Sequence, residues 1–460
     1  MTILALVTLF PEMKSDYHLK SDYSRERDMG EQSGELEAYY GLPREVKFCR
    51  RCVTSNQRPN STVEFQHTRQ SRKQTIRFDD DGVCDACRVC AEKRDVIDWA
   101  DRRRELRELC DRYRRTDGRY DCLVPGSGGK DSFYAAHRLK YEFGMHPLTV
   151  TWAPHIYTEW GWQNFQAWIA AGFDNYLCTP NSRVHRLLTR LAVENLFHPF
   201  QPFILGQKNL APKMALQFDI PLIFYGENEA EYGNPREDAG HALRDHKFYT
   251  ASDPAKIFLG GTSVADLYAR YGVEPVDLEP YLPVDPQPLH ARGVEVHYLG
   301  YYLYWHPQAC YYYAVEHGGF RASPERTPGT YSKYNSIDDR IDDFHYYTTF
   351  IKFGIGRATE DAAQEIRNGD ITRDEGVALV RRFDGEWPER FADEVFRYLS
   401  IEAREFPRAS KEFAQPAMTR EHFHALADKF RSPHLWRRDG GEWKLRHAVW
   451  MEDSAPAIVR

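Results

Sequence analysis

The stretch Pro125-Gly126-Ser127-Gly128-Gly129-Lys130-Asp131-Ser132 decides how this chain is read. It follows a short apolar run, Tyr120-Asp121-Cys122-Leu123-Val124, and precedes a helix-like segment from Phe133 to Phe143. A strand, a glycine turn and a helix start together make an anion site, because unpaired backbone N–H groups and the helix dipole face the ligand. Gly128 and Gly129 let the backbone approach phosphate, Ser127 and Ser132 add hydroxyl donors, and Lys130 adds a mobile positive charge. The glycine spacing is not that of a Walker A loop. An ordinary turn before a helix is the plainer alternative, and the strand–loop–helix context argues against it.

Downstream, Leu148–Trp152, Asn175–Cys178 and Leu222–Tyr225 read as further strands. The segments 160–171, 183–195 and 212–218 between them read as helices. This alternation predicts an α/β fold, a parallel sheet with helices on both faces and ligands beyond the C-terminal strand ends. Ser127–Ser132, Thr151 with Trp152, and Gly226-Glu227-Asn228 then share one rim. Near a triphosphate, Asp131 and Glu227 are candidate Mg2+ ligands, and an acidic surface loop is the alternative for Glu227.

Upstream, residues 1–40 read as a variable leader whose short apolar start, Ile3–Phe10, lacks a basic n-region and a small-residue cleavage site and reads as a stray strand or helix turn rather than a signal peptide. Cys49-Arg50-Arg51-Cys52 and Cys84-Asp85-Ala86-Cys87 are paired knuckles that supply four thiolates for a structural Zn2+, with an iron–sulfur cluster as the alternative. Cys90 repeats the spacing and competes for one position. Residues 91–116 are expected to form an amphipathic helix carrying Val96, Ile97, Trp99, Leu106 and Leu109.

Beyond the strands, residues 235–295 are proline-rich and read as an irregular insertion. An aromatic stretch starts at His297, and Asp338, Asp339, Asp342 and Asp343 would crowd one face of a helix as i,i+4 pairs. A metal, sugar hydroxyls, or a cation such as Arg340 or Lys352 would relieve that repulsion; a bland acidic surface is the alternative. Residues 357–383 read as a helical hairpin, stopped at Asn368-Gly369 and restarted by the capping box Thr372-Arg373-Asp374-Glu375. The tail reads as charged and helical, anchored by Trp436 and Trp443.

The formal charge of −7 over 460 residues makes nucleic acid an unfavoured partner. No apolar run is long enough to span a membrane, and nine cysteines, an odd number mostly in Cys-x-x-Cys pairs, suit a reducing, cytoplasmic setting. The expected division is 1–40 leader, 41–95 zinc-knuckle module, 96–295 phosphate-loop domain and 296–460 substrate or partner domain.

Ser127–Ser132 resembles the pyrophosphate loop (PP-loop) of the ATP-pyrophosphatase superfamily, whose members adenylate a substrate oxygen. Over roughly residues 40–445, the order of motifs is similar to the N-acetyl sugar amidotransferases of surface-polysaccharide and flagellin-glycan biosynthesis. Those motifs are Phe48–Val53, Gln57-Arg58-Pro59, Asp81–Cys87, the loop, Pro221–Asn228, Gly329-Thr330-Tyr331 and Glu365–Arg373. The resemblance implies conversion of an acetamido group on an activated sugar to an acetamidino group in lipopolysaccharide, O-antigen or related glycan biosynthesis. ATP, Mg2+ and a structural Zn2+ are the implied cofactors, and a separate glutaminase subunit supplies ammonia.

By the same resemblance, Lys130, Asp131 and Glu227 carry catalysis. Ser127, Gly128, Gly129, Lys130, Asp131, Ser132, Thr151 and Trp152 hold ATP. Asn228, Tyr331, Lys333, Asp338 and Asp339 meet the sugar, and Cys49, Cys52, Cys84 and Cys87 bind metal. The chain departs from the family at Phe203–Lys208, where many members carry a cysteine. A tRNA-modifying PP-loop enzyme of the thiolase or lysidine-synthetase type is the competing function, and a silent scaffold a third.

Overall fold

Five parallel strands form the central sheet: β1 (Cys122–Pro125), β2 (Pro147–Trp152), β3 (Asn175–Cys178), β4 (Leu222–Tyr225) and β5 (Glu295–Tyr298), in the order β3-β2-β1-β4-β5. They belong to a computed structural model that describes residues 36–411 and 413–452. Most of the expected leader, with Ile3–Phe10, lies outside the described residues. The described residues from Glu37 to Glu452 form one compact unit.

Strand alternation explains the layers. Leu123 and Ile223 point to one face, against α5 (Ser182–Leu196) and α6 (Gln201–Phe218). Cys122, Val124, Leu222 and Phe224 point to the other, against α2 (Trp99–Tyr113), α3 (Lys130–Tyr141), α4 (Glu159–Ala170) and a helix α7 (Pro307–Gly318). A third core joins α8 (Asp342–Phe353) to the helix Arg420–Phe430. A fourth packs the knuckle cysteines on α9 (Arg357–Asn368) and α10 (Arg373–Phe383). The expected hairpin is there, with Gly369 left-handed at φ 82° and a capping box between Thr372 and Glu375.

Several expectations change. The helix expected over 91–116 is two helices, α1 (Asp85–Asp95) and α2, because Asp98 caps the second by accepting from Ala100 and Asp101 N–H; Val96 at the break is exposed. The helix expected from Pro212 begins at Gln201, since Leu205, Leu210, Ala211 and Ala215 all bury against the sheet and hold the turn around Pro212. The proline-rich insertion ends in β5, so the boundary expected at 295/296 falls inside a sheet strand. The tail is not wholly helical. Trp436–Asp439 and Glu442–Leu445 pair antiparallel across Gly440 and Gly441, at φ 60° and 85°, which suits a tight hairpin turn.

Three half-buried or buried imidazoles have an acid-stability consequence. Burial pushes His185 and His198 well below the usual histidine pKa and His345 down to about 4, the last with help from Arg357. The unfolded chain therefore takes up protons near pH 6.5 that the folded chain refuses. This contribution is complete above that pH and is lost as pH falls toward 4, each pH step of one between the unfolded and folded values being worth about 1.4 kcal/mol per ring. His345→Asn is expected to lose less of its urea midpoint between pH 7 and pH 5 than the wild type; an equal loss would mean that this ring is not held neutral.

Candidate active site

Strand order reverses between β1, whose other neighbour is β2, and β4, whose other neighbour is β5. Loops leaving such a pair diverge and leave a crevice at the C-terminal strand ends. Ser127–Gly129 leaves β1 there and Gly226-Glu227 leaves β4. A cavity of about 430 Å³ lies between them, and Ser127, Gly129, Lys130, Asp131, Trp152, Glu227, Asp338 and Asp339 all line it.

The glycine loop is built by close contact. Gly128 has φ +84°, and a Cβ there would sit 2.9 Å from Phe165 Cα. Gly129 is the N-cap of α3, whose first residue is Lys130, and Ser132 turns its hydroxyl back to Gly129 O at 3.1 Å. Gly128→Ala is expected to lower stability by about 1–3 kcal/mol and to weaken ATP binding. Unchanged nucleotide affinity by calorimetry would show that the loop backbone does not touch the ligand.

Lys130 is 7 % exposed. Burial opposes its charge, but Asp131, in contact at 2.5 Å, outweighs that and holds the ammonium above the usual lysine pKa. Glu227 goes up to about 7, first through burial and then through Asp131, with Lys130 and the Tyr232 hydroxyl, at 3.2 Å, working against the rise. Two carboxylates and one ammonium thus share the mouth of the crevice. Paired carboxylates beside an anion loop fit a hard divalent cation such as Mg2+.

The opposite wall comes from the far end of the chain. Asp338 O accepts from Thr158 N at 3.1 Å, and Arg340 N donates to Ile156 O at 3.0 Å, so residues 338–340 are laced to the loop after β2. Gly161 makes room, since a Cβ there would lie 2.5 Å from Asp338 Cα. Burial raises the Asp338 pKa, and a hydrogen bond from Ser127 offsets part of the rise. Asp342, 6 % exposed, is pushed well above the carboxylate range by burial and by Asp338.

The expected i,i+4 acidic face does not exist, because α8 begins only at Asp342 and Asp338 and Asp339 precede it. Each carboxylate has its own environment. Asp339 accepts from His155 N and Nδ1, both at 2.6 Å, and Asp343 meets Arg390 at 3.3 Å. The suggested cations are engaged elsewhere, Arg340 with Glu394 and Lys352 with Leu196 O.

Six expected site residues are not on the cavity wall: Gly128, Ser132, Thr151, Asn228, Tyr331 and Lys333. Gly128 and Ser132 shape the loop from behind. Thr151 accepts from Asn175 within the sheet, and Asn228 caps the turn after β4 through Ala230 N. The Tyr331 hydroxyl donates to Glu365 at 2.6 Å, and exposed Lys333 reaches Pro324 O. In their place the wall carries Arg58, Tyr232, Asp342, Arg357 and Arg367. Phe203, Ile204 and Gln207, in the segment that departs from the family pattern, also line it.

The four knuckle sulfurs lie within 4.8 Å of one another and are buried. Cys49–Cys87 and Cys52–Cys84 separations of 3.8 and 3.7 Å match the edge of a tetrahedron, about 3.8 Å, that Zn–S bonds of about 2.3 Å require. The cysteines therefore fit a closed structural zinc site. Cys90 is excluded, because its thiol donates to Arg367 O at 3.1 Å.

Residues 328–449 match the family model "LPS biosynthesis protein WbpG-like, C-terminal domain". This segment holds Asp338, Asp339, Asp342 and helices α8–α10, so the wall facing the glycine loop is the part similar to lipopolysaccharide-biosynthesis proteins. No match was found among curated proteins. Among the described residues, no helix is long and apolar enough to cross a membrane.

Proposed function

We propose that the chain is the synthetase component of an ATP-dependent amidotransferase that turns the acetamido group of a nucleotide-activated sugar into an acetamidino group. One observation carries the reading: a phosphate-type loop and a wall from the WbpG-like segment enclose the same cavity. In this reading the sheet is of the ATP-pyrophosphatase kind.

An amide resists ammonia because its oxygen leaves poorly. Attack of the amide oxygen on the α-phosphorus of ATP forms the C–O–P bond and breaks the bond to pyrophosphate. Loss of the amide N–H proton then leaves a neutral O-adenyl imidate. Ammonia adds to its carbon, AMP departs with the C–O electron pair, and the amidine remains in its protonated, amidinium form. The loop N–H groups and Lys130 hold the triphosphate in line and bear the charge on leaving pyrophosphate. Asp131 and Glu227 would bind Mg2+, which supplies further charge neutralisation when present. Asp338 stands opposite, within reach of Ser127, where it can accept hydrogen bonds from the sugar. No described cysteine is placed as a glutaminase nucleophile, so ammonia is assigned to a separate glutaminase subunit.

Incubation with ATP, Mg2+, ammonium and a panel of N-acetylated nucleotide sugars is expected to yield AMP and an amidino product by mass spectrometry. Pyrophosphate release that depends on tRNA, with none on any sugar, would overturn the reading in favour of a tRNA-modifying enzyme.

A further inference from the structure

Between the glycine loop and the zinc knuckles, the cavity wall carries two arginines from distant parts of the chain, Arg58 and Arg367. Among the described residues neither forms an ion pair, and the only hydrogen bond from the Arg58 side chain is a long one to its neighbour, Pro59 O at 3.4 Å. Arg357, on the same wall, is instead committed to Asp361 and Tyr346, both at 2.9 Å. Burial and the adjacent Arg367 lower the Arg58 pKa, while Glu360 opposes them.

Two half-buried guanidinium groups sharing a wall repel each other, and Glu360 on the same wall offsets part of that at Arg58 without forming an ion pair with it. Thr54, Gln364 and Tyr232 line the same cavity and offer neutral hydrogen-bonding groups. Arginine pairs of this kind suit bidentate binding of phosphoryl oxygens.

We infer that Arg58 and Arg367 form a second oxyanion subsite, across the cavity from the glycine loop, for a phosphate group of a bound ligand. The subsite rests on reading the cavity as a phosphate site, but not on amidine formation. The same chemistry has two sources, the polyphosphate of ATP and the diphosphate of a nucleotide sugar.

Calorimetric titration of the zinc-loaded protein with ATP, inorganic pyrophosphate and UDP separates them. Arg58→Gln and Arg367→Gln are each expected to weaken at least one probe by 10-fold or more, with zinc content and melting temperature unchanged. Loss confined to ATP and pyrophosphate assigns the subsite to the nucleotide that is cleaved. Loss confined to UDP assigns it to the sugar carrier. Unchanged affinities in both variants, or a wild-type protein that binds none of the probes, would overturn the inference. Lys130→Ala serves as the reference: if it weakens ATP and the arginine variants weaken nothing, only the subsite is wrong. If Lys130→Ala also leaves ATP binding intact, the phosphate reading of the cavity falls too.

Discussion

Lys130→Ala is expected to lower turnover by about 10²–10³-fold, with zinc content unchanged. The lysine is the first residue of α3, touches Asp131 and lines the cavity with Glu227. Its ammonium is the only cation from the glycine loop itself, so charge building on leaving pyrophosphate loses its nearest partner. Removing it also leaves two carboxylates facing each other, which drives Glu227 further toward its protonated form. Lys130→Arg is not expected to restore activity, because a planar guanidinium is a poor replacement for a compact ammonium beside Asp131. Single-turnover measurement of AMP formation reads the effect directly. Full activity in Lys130→Ala would remove the glycine loop from the chemistry. Zinc loss in that variant would show that the lysine supports the fold instead.

The second large effect lies at the cysteines. Cys52→Ser is expected to release the metal and cost about 4 kcal/mol or more, the range in which loss of a structural metal falls. The reason is in the packing. Ile76, Val83 and Ala86 of the knuckle module share a core with Ala362, Ala363, Val377 and Val380 of α9 and α10. Undoing the thiolate cluster therefore loosens the hairpin that carries Arg357 and Arg367 to the cavity. Elemental analysis and a melting curve test this together. Cys90→Ser is the control and should keep both the metal and stability, since Cys90 is outside the cluster. Visible absorbance in the purified protein would replace zinc by an iron–sulfur cluster. A Cys52→Ser protein of unchanged metal content and melting temperature would remove the site altogether.

These two tests also mark how far the sequence could be read. The glycine loop, the four sulfurs and the first four strands were legible because each depends on local order: glycine at a forced φ, cysteines in paired knuckles, apolar runs between helices. Glu227 was legible because it directly follows a buried strand, so strand order alone brings it to the rim. The fifth strand was not legible, since Glu295-Val296-His297-Tyr298 is four residues long, mixes charge with aromatics and follows a proline-rich segment. Nor was the course of 338–343, where aspartate spacing suggested a helix; backbone hydrogen bonds to Ile156 and Thr158 hold its first residues as a loop instead.

What the sequence determined by itself was the glycine turn between β1 and α3, because it is made within eight consecutive residues. What only the tertiary structure decided was the other wall. Asp338, Asp342, Arg58 and Arg367 reach the cavity through contacts between segments hundreds of residues apart, and no local pattern records those contacts. The same contacts give four aspartates different surroundings: Asp338 and Asp342 line the cavity, Asp339 lines it while accepting from His155, and Asp343 meets Arg390.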